Sequence, residues 1–317
     1  MGTVVLVVVG VVVVAAIGFL LYAERGRLCL PSTLRLARLG GLRRLLNLSG
    51  LHAYVYGRWT APYVKRLIER IVPRLDREGK QRLADRYHGK VLTPEHARAV
   101  VTLDRPVPLQ DLEQIVPYAT ARDLVLKGSP DVAAYECACR GARSEACEPS
   151  MVCMVVGQPF VDFMLEHHPA SSRRLTQPEA LELLEAEHKR GHVHSAWFKD
   201  ALLGRFYAIC NCCRCCCAGI EAMVKHEVPM MAPSGYVAQV AAGTCVACGA
   251  CAEVCPFGAI TVDEVASVDR AKCMGCGVCI DRCRPGALSL VRDETRGVPL
   301  DVRALADGTG VAARVSG

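Results

Sequence analysis

Eight cysteines toward the C-terminal end have the spacing of metal ligands. The first run reads Cys245-x2-Cys248-x2-Cys251-x3-Cys255-Pro256, and the second Cys273-x2-Cys276-x2-Cys279-x3-Cys283. Subtracting 245 from 273, or 255 from 283, gives the same offset of 28, which marks an internal duplication. The surroundings repeat with it: Gly249 matches Gly277, Gly258 matches Gly286, Ala259 matches Ala287, and Ile260 matches Leu288. A cubane iron–sulfur cluster needs four thiolates aimed at four iron corners. Three closely spaced cysteines wrap one side of it, and a glycine after the middle one lets the backbone approach. The fourth cysteine, beside a proline turn, cannot reach back to its own loop and ligates the other cluster. One set is then Cys245, Cys248, Cys251 and Cys283, and the other Cys273, Cys276, Cys279 and Cys255. Zinc is the competing ligand, but its sites usually pair two Cys-x-x-Cys units rather than a triple and a fourth.

Ten further thiols lie upstream, in two groups. Cys137, Cys139, Cys147 and Cys153 form one, and Cys210, Cys212, Cys213, Cys215, Cys216 and Cys217 the other. Six thiols within eight residues would be hazardous if left free. We expect at least one additional metal site with ligands from both groups. An iron–sulfur cluster is the first reading, zinc the second, and disulfide or reactive-thiol chemistry the third. His188 and His192 have the i, i+4 spacing of a metal pair, but Gly191 between them breaks the helix. Neither they nor His194 is taken as a ligand, and His167 and His168 are expected at the surface or in a helix cap. No Cys-x-x-Cys-His occurs, which argues against covalent c-type haem. Gly308-Thr-Gly310 lacks the rest of a dinucleotide fingerprint.

Over residues 235–293 the chain resembles bacterial-type dicluster ferredoxins. That resemblance implies two 4Fe–4S clusters in a pseudo-twofold pair of βαβ-like halves, and electron transfer between them. One departure is Cys283-Arg284-Pro285, where the family has proline directly after cysteine. Arg284 would favour the reduced, more negative state of a nearby cluster. The upstream cysteine-rich region is only loosely similar to membrane-anchored dicluster proteins of anaerobes, a likeness that assigns no individual ligand.

The rest of the chain must position these thiols. It has 317 residues, 51% hydrophobic and 22% charged, which excludes a disordered tail and a polytopic membrane protein. Tight cysteine runs in a chain this long exclude a secreted disulfide scaffold and point to a reducing compartment. The formal charge of +6 would fall to roughly +2 with two cubane clusters bound, and aromatics are only 5%, so no nucleic-acid partner is expected. The positive charge is concentrated in residues 23–105, with 18 Lys and Arg against 7 Asp and Glu.

Residues 4–22 carry no charge and no proline, and a helix of that length rises about 29 Å, close to a hydrocarbon layer. A single membrane span is expected, followed by Arg25, Arg27, Arg35, Arg38, Arg43 and Arg44, which would keep the body in the cytoplasm. Leu34, Leu36, Leu39, Leu42, Leu45 and Leu46 alternate with those arginines and suit an interfacial helix. Val64, Leu67, Ile68 and Ile71 form one side of a helix over 63–75. Thr93-Pro94-Glu95 starts another helix, Pro106 and Pro108 punctuate the next loop, and Thr176 with Glu179 makes a capping box.

The expected architecture is therefore α+β: a transmembrane anchor (1–24), a basic and mainly helical docking region (25–130), a cysteine-rich helical domain (131–234), a ferredoxin-like dicluster domain (235–293) and a tail (294–317). The expected function is a membrane-tethered, cytoplasmic electron relay between a soluble redox protein and a membrane oxidoreductase. The alternatives are an iron–sulfur reductase with a catalytic cluster or thiol centre in the Cys210–Cys217 run, and a scaffold whose clusters are structural.

Overall fold

A computed structural model describes residues 2–39, 48–107, 115 and 130–307. Leu42, Arg43, Arg44, Leu45, Leu46, Pro108, Gly308 and Gly310 lie outside the described residues. The architecture is α+β, centred on a seven-stranded sheet. Its strands are β1 (Tyr87–Val91), β2 (Val132–Tyr135), β3 (Cys153–Val156), β4 (Ser172–Leu175), β5 (Val193–Lys199), β6 (Arg205–Cys212) and β7 (Met231–Ala232), in the order β4-β2-β3-β6-β5-β1-β7. All neighbours are antiparallel except β1 and β7.

The sheet takes one strand from the region 25–130 and the other six from 131–234, where helix was expected. The reason is visible in the strands themselves. Val-Ala-Ala-Tyr, Cys-Met-Val-Val and Val-His-Ser-Ala-Trp-Phe-Lys are buried at every position, so they show no period-two alternation. Short apolar runs of this kind cannot be assigned by periodicity, because both faces of the strand are covered.

Several helices are where their caps predict. Thr93 caps the helix Pro94–Val101 by accepting from the His96 N–H. Thr176 and Glu179 cap each other's backbone at the start of Gln177–Lys189. That helix stops at Arg190, and Gly191 follows at φ +87°. The 63–75 segment is a short helix, Thr60–Arg66, continued by a π-helical turn, Leu67–Ile71, with Val64, Leu67 and Ile68 buried.

The expected transmembrane helix must be corrected. Among the described residues, no helix is long and apolar enough to cross a membrane. The apolar residues do form a helix, Gly2–Ala23, but its last turn is committed to the protein. Phe19 stacks on Trp59 at 5.9 Å, Arg58 lies over the Tyr22 ring, and the Arg58 Nε–H donates to the Ala23 carbonyl at 2.8 Å.

Candidate metal centres

The dicluster segment begins with β8 (Tyr236–Val240) and ends with β11 (Leu288–Arg292), which pair antiparallel. Between them lie the hairpin β9 (Ile260–Val262) and β10 (Ala266–Val268) and two short helices, Ala250–Val254 and Val278–Arg282. The offset of 28 holds in three dimensions. Gly249 and Gly277 precede the two helices at φ +81° and +82°, and Ala247 and Gly275 both adopt positive φ.

The cysteines gather across the halves. One cavity is lined by Cys245, Cys248, Cys251 and Cys283, and a second by Cys255, Cys273, Cys276 and Cys279. Backbone donors repeat with the same offset of 28, and one pair of them crosses between the halves. The Ala266 N–H donates to Cys245 Sγ at 3.4 Å, and its counterpart Ala238 donates to Cys273 Sγ at 3.4 Å. Ala259 donates to Cys255 Sγ at 3.3 Å and Ala287 to Cys283 Sγ at 3.2 Å. Sulfurs that accept N–H bonds are sulfurs prepared to carry negative charge. The residues present fit two four-thiolate clusters: four sulfurs converge on each cavity, with donors already turned toward them.

The two cavities differ in exposure. Cys248 is exposed and Val246 beside it is 66% exposed, whereas Cys255, Cys273, Cys276 and Cys279 are all buried. Burial pushes the Cys276 thiol up to about 12 and raises that of Cys279 as well. Those sulfurs become thiolates at neutral pH only with metal to neutralise them. Cys245 goes the other way, lowered by the N–H groups of Ala266 and Ala247.

The ten upstream thiols divide into four and six, and each set draws on both sequence groups. Cys147, Cys213, Cys215 and Cys216 bring their four sulfurs within 4.8 Å of one another. The other six line one largely apolar chamber of about 50 Å³, whose wall Cys213 also joins. Its sulfurs influence one another in succession, Cys210 with Cys153, Cys153 with Cys137, Cys137 with Cys139, Cys139 with Cys217 and Cys217 with Cys212. Cys139 and Cys153 hold Cys137 well below the usual thiol range, and those same interactions, with burial, raise Cys139 and Cys153. The sheet supplies this clustering. Cys210 and Cys212 sit two apart on β6, opposite Ser195 and Val193, and Cys153 opens β3.

Some chamber residues carry no signal in the sequence. Tyr56 Oη lies 2.6 Å from Tyr207 Oη and 2.9 Å from Tyr87 Oη, and all three rings line the chamber. Arg140 is fully buried, and its guanidinium faces Cys213, Cys147 and Cys137. Only its place after Cys137-Ala-Cys139 could have drawn attention to it.

His188, His192 and His194 each have a protein partner, although His192 also lines the cleft that holds Cys147, Cys213 and Cys215. His188 pairs with Asp281 at 2.8 Å, His192 with Glu187 at 2.6 Å, and His194 with Asn211 at 2.6 Å. His168, expected with His167 at the surface or in a helix cap, is the C-cap of the helix Phe160–His167, and His167 in its last turn is buried against Phe163 with its Nε2 2.9 Å from Thr33 Oγ1. The Phe163 ring and the nearby helix Leu48–Arg58 cover it, a placement that sequence spacing does not show. The sheet body and the dicluster segment meet where Arg282 donates to the Lys189 carbonyl and Arg214 to that of Glu253.

No curated protein and no solved structure matches this chain. The 4Fe-4S dicluster domain family matches residues 244–287, so this segment of the chain is a ferredoxin-type iron–sulfur module.

Proposed function

We propose that the chain is an electron carrier, with Cys245, Cys248, Cys251 and Cys283 holding one 4Fe–4S cluster and Cys273, Cys276, Cys279 and Cys255 the other. The observation carrying this reading is the exchange of the fourth cysteine between the two cavities, matched by four N–H···S bonds with the same offset. The clusters supply one-electron redox chemistry when bound. Four cysteine ligands leave no open position for a substrate, so the residues here hold and insulate rather than activate. Cys248 and Val246 form the exposed edge of the pair, where a soluble redox partner would dock. Ser234 seals the other cavity, with its N–H on the Met274 carbonyl at 3.0 Å and its Oγ on the Gly275 carbonyl at 2.7 Å.

The test is anaerobic purification of the full chain with iron and sulfide quantification and an EPR-monitored redox titration. Two reducible clusters with at least eight irons per chain are expected. Fewer than two, or zinc in place of iron, would reject the relay.

The six-thiol chamber favours a second reading, a reductase whose catalytic centre is held by Cys137, Cys139, Cys153, Cys210, Cys212 and Cys217. Six sulfurs exceed the four that one cubane takes, and Tyr56, Tyr87 and Tyr207 offer hydroxyl groups in the same chamber. A third spectroscopic centre that changes on addition of a substrate would favour it. A centre insensitive to every added small molecule would leave the relay alone.

A further inference from the structure

We infer that Cys147, Cys213, Cys215 and Cys216 form a binding site for a single thiophilic metal ion in tetrahedral coordination, separate from every iron–sulfur cluster in the protein. The site goes beyond the relay and does not depend on it. Its geometry argues for one ion. The four sulfurs lie within 4.8 Å of one another, with Cys215 and Cys216 3.4 Å apart and Cys216 and Cys147 3.7 Å apart. Four sulfurs bonded to one ion at about 2.3 Å stand about 3.8 Å apart along the edges of a tetrahedron. A cubane cannot use so tight a set, because its four thiolates radiate from four different iron corners.

Charge argues in the same direction. A divalent ion with four thiolates carries −2. Arg140, with its side chain fully buried, turns its guanidinium toward Cys213 and Cys147, and its Nε–H has no hydrogen-bond partner. The carboxylate beside it, Glu187, is 3.5 Å away and also serves Arg190 at 2.6 Å. Glu187 also meets His192 at 2.6 Å, so one carboxylate shared three ways, and at 3.5 Å from Arg140, only partly offsets the buried guanidinium, a costly arrangement unless something negative answers it. The metal–thiolate site answers it.

The loop is built to hold still. The Arg143 guanidinium donates twice to the Cys216 carbonyl, at 3.3 and 3.2 Å, and also pairs with Glu221. One ligand comes from the segment between β2 and β3 and three from the turn after β6, so the ion joins two segments far apart in sequence. It also lies at the seam with the dicluster module. A cleft of about 670 Å³ is lined on one side by Cys147, Cys213 and Cys215 and on the other by Ala250, Glu253 and Val254. Zinc and ferrous iron meet the same chemical requirement, and metal analysis separates them.

The test compares the anaerobically purified full chain with Cys216→Ser and Cys147→Ser, taken from opposite sides of the site. The readouts are metal content by mass spectrometry, X-ray absorption, and EPR of the dicluster module. The expected result is loss of one metal atom per chain in either variant, with both dicluster signals kept. Metal–sulfur distances near 2.3 Å with no metal neighbour are expected for the lost component. Loss of about four irons, unchanged metal content, or a Cys215–Cys216 disulfide in the native chain would overturn the site. If Cys216→Ser fails to fold, Cys147→Ser gives the same readout from the other segment. A chain that retains this ion but lacks reducible clusters would sink the relay and leave the site standing.

Discussion

Cys255 and Cys276 line the same cavity, although Cys255 closes the first cysteine run and Cys276 sits in the middle of the second. Cys283 and Cys248 make the reciprocal pair in the other cavity. Under the proposed assignment, ligand sets that cross between the halves would tie the two short units into one body, with the clusters as part of its core. Such a small segment buries too little apolar surface to hold together alone.

Crossed ligation has a spectroscopic consequence. Cys255→Ser and Cys276→Ser are expected to spare the same cluster, and Cys283→Ser and Cys248→Ser the other. EPR of the four reduced variants checks this, with two shared signatures expected. If Cys255→Ser instead shares its surviving signature with Cys248→Ser, the ligands do not cross.

The exposed cluster should be the more vulnerable one. Cys248 is exposed, whereas all four cysteines of the second cavity are buried. Loss of iron in air is expected to be biphasic. Cys283→Ser, which retains the buried cluster, should bleach several-fold more slowly than Cys255→Ser, which retains the exposed one. Equal rates in stopped-flow absorbance would contradict the asymmetry.

Gly275 is a position where only glycine fits. Its φ is +63°, and an added Cβ would lie 2.7 Å from the Tyr236 carbonyl carbon and closer still to the carbonyl oxygen and Ser234 Oγ. Gly275→Ala is expected to destabilise by about 3 kcal/mol and to loosen the cluster held by Cys273, Cys276 and Cys279. Gly258 also has positive φ but meets nothing within 4 Å, so Gly258→Ala should cost about 1 kcal/mol. Anaerobic denaturant titrations compare the two.

Lys90 on β1 is 1% exposed, and burial, with Arg292 nearby, lowers its ammonium to about 7. An unfolded chain keeps that proton up to about pH 10. Between those values the unfolded state binds more protons, so this group makes stability rise with pH over that window. Below about pH 7 the folded protein carries the full cost of a buried charge. Lys90→Met is expected to flatten the rise and to add about 3 kcal/mol at pH 6. Thermal midpoints measured from pH 6 to 10 check it, and an unchanged slope would show that Lys90 is not the cause.

The sequence alone determined what depends on local spacing: the duplicated cysteine runs, the cap residues Thr93 and Thr176 with the helices they start, and the stop at Gly191. These are short-range effects, in which a ligand loop or a helix end is set by residues within a few positions of each other. The tertiary structure decided the rest. Strands such as Val132–Tyr135 and Val193–Lys199 are buried on both faces and so carry no alternating pattern to read. The length of residues 4–22 suggested a span, but an apolar count cannot show that Phe19, Tyr22 and Ala23 dock on Arg58 and Trp59. Ten upstream thiols were visible as two groups in sequence. Their division into four and six follows from β3, β6 and the turn after β6 meeting around buried Arg140, because partners brought together by a sheet are chosen by register and packing rather than by distance along the chain.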